Sequence, residues 1–295
     1  MINVVTVHWQ TPKWIDVQLG YLERNIRAPF RVYASVNGVD DALDDPRFHF
    51  AADLPGSHAE KLNELAGMVL ERSEPTDVLM FVDGDAFPVQ PLVPWVADVL
   101  ADYPLAAVRR DENLGDPQPH PCFCVTTAAF WAEIGGDWRA GRPWVNDVGT
   151  TVADVGGALL ERLQERGTAW LPLLRTNTHN PHPLLFGVYG HRVYHHGAGF
   201  RSVPTRVDLH RQADNRPSSD RPSLGTLRRA VTADPSKLLH VRARHAGVVA
   251  GALRRTVALR REATRAVGVD RMADDMFARL TADPEFFRQL DDSEP

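Results

Sequence analysis

The chain predicts an α/β fold, a sheet flanked by helices on both faces, followed by a helical C-terminal extension. Three observations carry this: apolar runs of strand type alternate with amphipathic stretches as far as about residue 202; the run VLMFV is unbroken, as in a central strand covered on both sides; and 211–222 are rich in Pro, Ser and charge, with only helical spacing beyond them. The expected organisation is one sheet domain over 1–210, a linker over 211–222 and a helical extension over 223–295.

INVVTVHW opens the chain as the first strand, and after Pro12 the apolar spacing of WIDVQLGYLERNI predicts the first helix. FRVYASV is the second strand. SHAEKLNELAGMVLERS starts with Ser57 three residues before Glu60, the spacing of a capping box, and buries Leu62, Leu65, Met68 and Val69. DVLMFVDGD follows as the strongest strand, and Pro88 and Pro91 then lead into LVPWVADVLADY as a helix. PLAAVRR and PCFCVTT read as strands, AAFWAEIGG as a short helix and VGTTVADVGGALLERLQERG as a long one, with TAWLPLL and HRVYHHG closing the set of strands.

Composition bounds the function. With 295 residues, 43% hydrophobic and 24% charged, the chain can bury one large core. A net charge of -5 argues against general nucleic-acid binding. No apolar window spans a membrane and MINVVTVHWQ has no signal-peptide pattern, so a cytoplasmic location is expected. Lysines number three, Lys13, Lys61 and Lys237, a bias toward Arg that GC-rich, bacterial coding explains. Cys122 and Cys124 alternate along one strand, hence on one face, and are expected to be reduced. Between 228 and 265 ten Arg or Lys face two acids, making the tail a candidate for peripheral contact with the inner face of an anionic membrane, beside the plainer reading of a solvated helix face.

Ligands of α/β sheets bind beyond the carboxyl ends of strands, which singles out Asp83-Gly84-Asp85 after VLMFV. Two carboxylates so close repel unless a cation joins them, and Mg2+ or Mn2+ suits hard oxygen ligands while leaving positions for phosphate and water. The intervening glycine permits a sharp turn and close approach of a ligand.

Here the chain resembles the GT-A glycosyltransferases, whose Asp-x-Asp signature follows a central strand of a mixed, Rossmann-like sheet; the resemblance covers about 2–202. It implies a nucleotide-diphosphate sugar donor and transfer to a hydroxylated acceptor, with a cell-envelope glycan or secondary metabolite as candidates. Asp83 and Asp85 then hold the metal, and Asp83 and Gly84 adjoin the donor. The ends of the first two strands, His8, Asn37 and Asp40, match the nucleoside-binding region; His58, Lys61 and Asn63 match the helix that faces the donor. YHHGAGFR resembles a late His-Gly-Lys segment, so that His195, or alternatively His196, is a further metal ligand and Arg201 grips the diphosphate. In IGGDWRAGRPWVNDVGTT, Asp147 matches an acceptor-activating base at a helix start, with Asp137 in reserve and Trp138 and Trp144 as stacking surfaces on the acceptor side. A base at Asp147 would invert the anomeric centre, whereas the late histidine is a feature of retaining enzymes, so both stereochemical outcomes stay open. His179 and His182 lack cysteine partners for a zinc site and read as an acceptor-side loop.

Two other readings compete. A haloacid-dehalogenase-type phosphatase also places Asp-x-Asp after an apolar strand, but wants Thr or Val where Phe87 stands and begins with that strand, which two strands precede here. An inactive donor-binding module would keep the metal site and lose turnover.

Overall fold

A computed structural model describes residues 1–147, 149–197, 199–200 and 268–291. The linker over 211–222, the basic stretch 228–265 and Arg201 lie outside the described residues.

The described residues form a mixed α/β architecture, the class the sequence predicts. The main sheet has seven strands in the order β10-β6-β7-β4-β1-β2-β3. Their ranges are β1 Ile2–Trp9, β2 Phe30–Asn37, β3 Phe50–Ala52, β4 Val78–Val82, β6 Leu105–Val108, β7 His120–Thr127 and β10 Leu171–Leu173. β7 alone runs against its neighbours β4 and β6; the other pairings are parallel. Its reversed direction brings the start of β7, at His120, to the carboxyl end of β4.

β4 sits at the centre because its side chains are apolar on both faces. Met80 and Val82 join Val4, Val32 and Ala34 in one core with α1 (Ile15–Asn25) and α3 (Val93–Asp102). Leu79 and Phe81 join Val5 and Val7 in a second core with α2 (His58–Leu70), α4 (Ala128–Ile134) and α5 (Gly157–Glu165). The capping box of α2 is present: Glu60 N donates to Ser57 Oγ, and Glu60 Oε2 accepts from Ser57 N at 2.7 Å.

Two expectations need correction. The long helix over 148–167 is shortened to α5, and the residues before it form a hairpin of β8 (Trp144–Val145) and β9 (Thr151–Val152). Its turn is closed by Thr150 N donating to Asn146 Oδ1 at 2.8 Å and Gly149 N donating to Asn146 O, with Gly149 at φ 79°. An Asn-Asp-x-Gly turn followed by β-branched residues therefore overrode the helical spacing. The two cysteines are free and buried, but they do not share a face: the pairing shifts between Ala107 and Val108, so Cys122 joins the first core and Cys124 the second.

A second, antiparallel sheet of β11 (Gly187–Tyr189), β12 (Val193–His195) and β5 (Ala86–Pro88) follows directly from the Asp-x-Asp turn. In a first compact unit, the described residues 273–291 cluster with 1–200. Within the first unit, Phe277 packs edge-on against Trp14 at 4.8 Å, and the Tyr21 hydroxyl donates to the carbonyls of Leu280 and Pro284. Phe286, Phe287 and Leu290 are buried, and buried Asp291 accepts from Thr176 Oγ1 and contacts His191 Nδ1, each at 2.9 Å. No helix among the described residues is long and apolar enough to cross a membrane.

Candidate metal and donor site

The turn after β4 is built by its own hydrogen bonds. Ala86 N donates to Asp83 O, Asp83 N donates to Cys122 O, and Gln18 from α1 donates from one amide nitrogen to both Asp83 O at 2.7 Å and Ala86 O at 2.9 Å. With both amide hydrogens used, Gln18 Oε1 accepts from Thr6 Oγ1 and from His8 Nε2, each at 3.1 Å. This fixes His8 with its proton on Nε2 and leaves buried Nδ1 without a partner. Burial lowers the His8 pKa to about 4, against the opposing Gln18 hydrogen bond, so the ring is neutral at pH 7.

Gly84 is required by the protein's own packing. A Cβ there would stand 2.6 Å from Val7 O, 2.7 Å from the Phe200 ring and 2.8 Å from His8 Nδ1.

Pairing of β5 with β12 sets Ala86 opposite His195, so the residue next to Asp85 in sequence lies beside the late histidine in space. His196 N also donates to Asp85 O at 3.0 Å. Asp85 is buried, and its Oδ2 accepts from the backbone amides of Gly197 at 3.1 Å and Gly199 at 2.8 Å. Oδ1 remains, 3.6 Å from His195 Nε2. Ligand atoms of Asp83, Asp85 and His195 all lie within 4.8 Å of one another.

This set fits a divalent ion. Two carboxylate oxygens and one imidazole nitrogen are hard to borderline donors, and the buried Asp83 Oδ1 has no hydrogen-bond donor. His58 Nε2 approaches that oxygen to 3.0 Å as an ion pair, without the alignment of a hydrogen bond. Burial favours protonated Asp83, but His58 above all outweighs it and holds the carboxyl well below the usual carboxylate range. Burial lowers the pKa of His195 more than Asp85 and Asp83 raise it, favouring the neutral ring a metal needs.

His196 points elsewhere and is not part of the group. Its Nδ1 meets the Tyr194 hydroxyl at 3.1 Å and its ring lies 4.6 Å from Trp14 and 4.9 Å from Phe186. His195 ends β12 and His196 follows it, so the two side chains divide between the carboxylate group and the core.

Several other predicted residues are occupied by internal bonds. Asn37 donates to Asp53 and to Leu54 O, and its Oδ1 accepts from Ser35 and from Lys61 Nζ at 2.6 Å. Lys61 is buried, with its ammonium 4.3 Å from the Trp9 ring centroid, so it is turned toward the end of β2. Asp40 is exposed at the start of a single 3-10 turn. Asn63 braces a loop: it donates to Asp137 Oδ1 at 2.7 Å and accepts from Trp138 N at 3.0 Å.

The acceptor-side expectations change more. Trp138 is a core residue, fully buried against Phe81 and Trp131 at 5.0 and 5.5 Å. Trp144 is half-buried in β8. Asp137 is engaged by Arg139 at 2.7 Å, by Asn63 and by Arg162. Burial raises its pKa, but the Arg139 hydrogen bonds and Asn63 outweigh this and bring it to about 2, too low for an effective base. Asp147 does not start a helix; it is exposed on the β8–β9 turn, anchored by its N–H to Leu114 O at 3.0 Å. In the His179 and His182 loop, Arg175 donates to the carbonyls of His182, Pro183 and Leu185.

Sequence reasoning underweighted His58 and missed His120 and Arg110. His120 Nδ1 accepts from Cys122 N at 3.0 Å, and its ring stands 5.8 Å from that of His195. Arg110 is the second residue after β6. The available signal was the carboxyl-end rule, applied to β6 and, with direction reversed, to the start of β7.

No protein-family model matches the chain, and no curated protein does. Solved structures similar to it include the mannosyltransferase PcManGT from Pyrobaculum calidifontis in complex with GDP-Man and Mn2+, at 12% identity over 61% of this chain and 58% of that one, with a TM-score of 0.42. The galactosyltransferase LgtC, in complex with donor and acceptor sugar analogues, is 13% identical over 59% of this chain and 73% of that one, TM-score 0.36. TarS 1–349 of S. aureus, in complex with UDP-GlcNAc, is 12% identical over 46% of this chain and 48% of that one, TM-score 0.33. The chain thus spans about half the length of the TarS chain it matches.

Proposed function

We propose that the chain is a divalent-metal-dependent glycosyltransferase that moves a sugar from a nucleotide-diphosphate sugar to an acceptor hydroxyl. The observation that carries this is the convergence of Asp83, Asp85 and His195 within 4.8 Å at the carboxyl end of the central strand. A bound Mn2+ or Mg2+ would neutralise charge on the departing nucleoside diphosphate. The chain's own residues do the rest. Asp83 offers an oxygen without a donor, Asp85 is oriented by two backbone amides, and His195 is kept neutral. His58, on the first turn of α2, faces the same carboxylate and is available to donate to a phosphate oxygen once an ion draws Asp83 away. Arg201 is assigned to the diphosphate from its spacing after His195.

The nucleoside is assigned to the ends of β1 and β2, around His8, Asn37 and Asp40. Asp147 is assigned as acceptor base in preference to Asp137, whose carboxylate is consumed by Arg139 and Asn63. An anionic membrane surface remains a partner for the basic stretch 228–265, and the location is cytoplasmic in this reading.

The test is a thermal-shift screen of UDP, GDP and their sugar conjugates with and without Mn2+, since binding to the native state raises apparent stability. A metal-dependent shift followed by slow release of free sugar supports a transferase. A shift without any turnover identifies a donor-binding module, and release of phosphate from simple phosphoesters would point to a phosphatase.

A further inference from the structure

Arg110 is the first residue but one beyond β6, with a side chain only 18% exposed. A buried guanidinium carries five N–H donors and is costly unless they are met. Here they are not. Its nearest carboxylates are Asp116 at 3.6 Å and Asp154 at 3.9 Å, and the Nε hydrogen has no partner. Asp116 is held by Gln118, whose N and Nε2 both donate to Oδ1 at 3.1 Å, and its Oδ2 faces Arg110 from beyond hydrogen-bond distance. Neighbouring Glu112 accepts from the Tyr189 hydroxyl at 2.6 Å. The adjacent Arg109 is a contrast: more exposed, it still makes a two-pronged pair with Asp111 at 2.6 and 2.9 Å.

Val108, two residues before Arg110, pairs with His120 across β6 and β7, and the His120 ring stands 5.8 Å from that of His195, so Arg110 follows the strand end that adjoins the candidate metal group. In the sheet, β6 lies beyond β7 on one side of β4, while β1 and β2 lie on the other. The side of β4 assigned to the nucleoside is therefore opposite to Arg110.

We propose that Arg110 anchors an oxyanion, a carboxylate or a phosphate, carried by the transferred sugar or by the acceptor and distinct from the donor pyrophosphate. The open fork of a guanidinium matches two oxygens of either group, which a lone ammonium cannot do. This deepens the glycosyltransferase reading and rests on it for the identity of the substrate, but anion binding itself needs no metal.

The experiment is calorimetric titration, in EDTA and at constant chloride, of the wild type, Arg110→Gln, Arg110→Lys and the control Arg109→Gln with inorganic phosphate and with glucuronate. Saturable binding of at least one anion to the wild type and to Arg109→Gln is expected, weakened at least tenfold in Arg110→Gln and at least threefold in Arg110→Lys. Preference for phosphate would identify a phosphorylated substrate, and preference for glucuronate a carboxylated one. If neither anion binds the wild type, or if folded Arg110→Gln binds as the wild type does, the proposal is overturned. Should Arg110→Gln not fold, wild-type affinity in Arg110→Lys overturns it equally. Because metal is absent, failure here leaves the Mn2+ site standing, and failure of the Mn2+ site leaves this result standing.

Discussion

Gln18 donates to the carbonyl oxygen of Asp83 at 2.7 Å, tying the turn that carries both acidic residues to the first helix. The same nitrogen reaches Ala86 O, so one side chain spans the turn from end to end. Gln18→Leu leaves Asp83 O with Ala86 N as its remaining donor, takes a donor from Ala86 O and removes the acceptor of Thr6 Oγ1 and His8 Nε2, at a loss of about 1–3 kcal/mol for each buried group left unsatisfied. Mn2+ affinity is expected to fall about tenfold or more, measured by calorimetry on protein shown to be folded. Unchanged affinity with a lower Tm would mean that Gln18 serves stability alone.

Gly84→Ala leaves every proposed ligand in place and is still expected to weaken Mn2+ binding. The added carbon would meet Val7 O at 2.6 Å, a backbone atom that cannot rotate away. The cost of such overpacking is about 1–3 kcal/mol, read as a lower midpoint in urea together with the weaker metal affinity. Wild-type stability in Gly84→Ala would contradict the packing described at this turn.

Asp137 and Asp147 are separated by two substitutions. Asp147→Asn is expected to lower turnover about 10²–10⁴-fold with stability unchanged, as for loss of a general base. Asp137→Asn is expected to affect stability instead. Its carboxyl pKa is depressed in the folded state, from 3.8 to about 2, so its contribution is present above the ordinary value and fades as pH falls through about 2. The stability gap between wild type and Asp137→Asn should therefore be constant above about pH 5 and close progressively toward pH 2. A gap that instead widens on acidification would reverse the assigned sign.

The C-terminal segment is expected to contribute to the stability of the sheet unit. Phe287 is 1% exposed, and Phe287→Ala should cost about 3–5 kcal/mol in urea denaturation, as for other fully buried aromatic residues. A change under about 0.5 kcal/mol would show that the segment is not packed there in solution.

Much of the sheet was legible because its strands are short apolar runs at clear spacing: β1, β2, β4, β6 and β7 all carry that pattern. The capping box of α2 was equally readable, because Ser57 and Glu60 specify a local hydrogen-bond pair. What local pattern could not show was long-range pairing. β5 and β11 are three residues each, too short to signal themselves, yet β5 is what sets Ala86 against His195. In the hairpin before α5 the turn residues outweigh the helical spacing of the same stretch. Trp138, Lys61 and Asn63 look like ligand-facing residues in one dimension, and only the packing reveals that each is bonded or buried within the protein. The fate of Cys122 and Cys124 turned on a register shift that alternation cannot foresee.

The divalent-ion site of Asp83, Asp85 and His195 is checked by electron paramagnetic resonance of Mn2+ titrated into the protein. Stoichiometric loss of the free hexaaqua signal is expected with the wild type, with at least tenfold weaker binding in Asp83→Asn, Asp85→Asn and His195→Ala and little change in His196→Ala. Mn2+ remaining free with folded wild-type protein, or bound equally well by all three ligand variants, would contradict it.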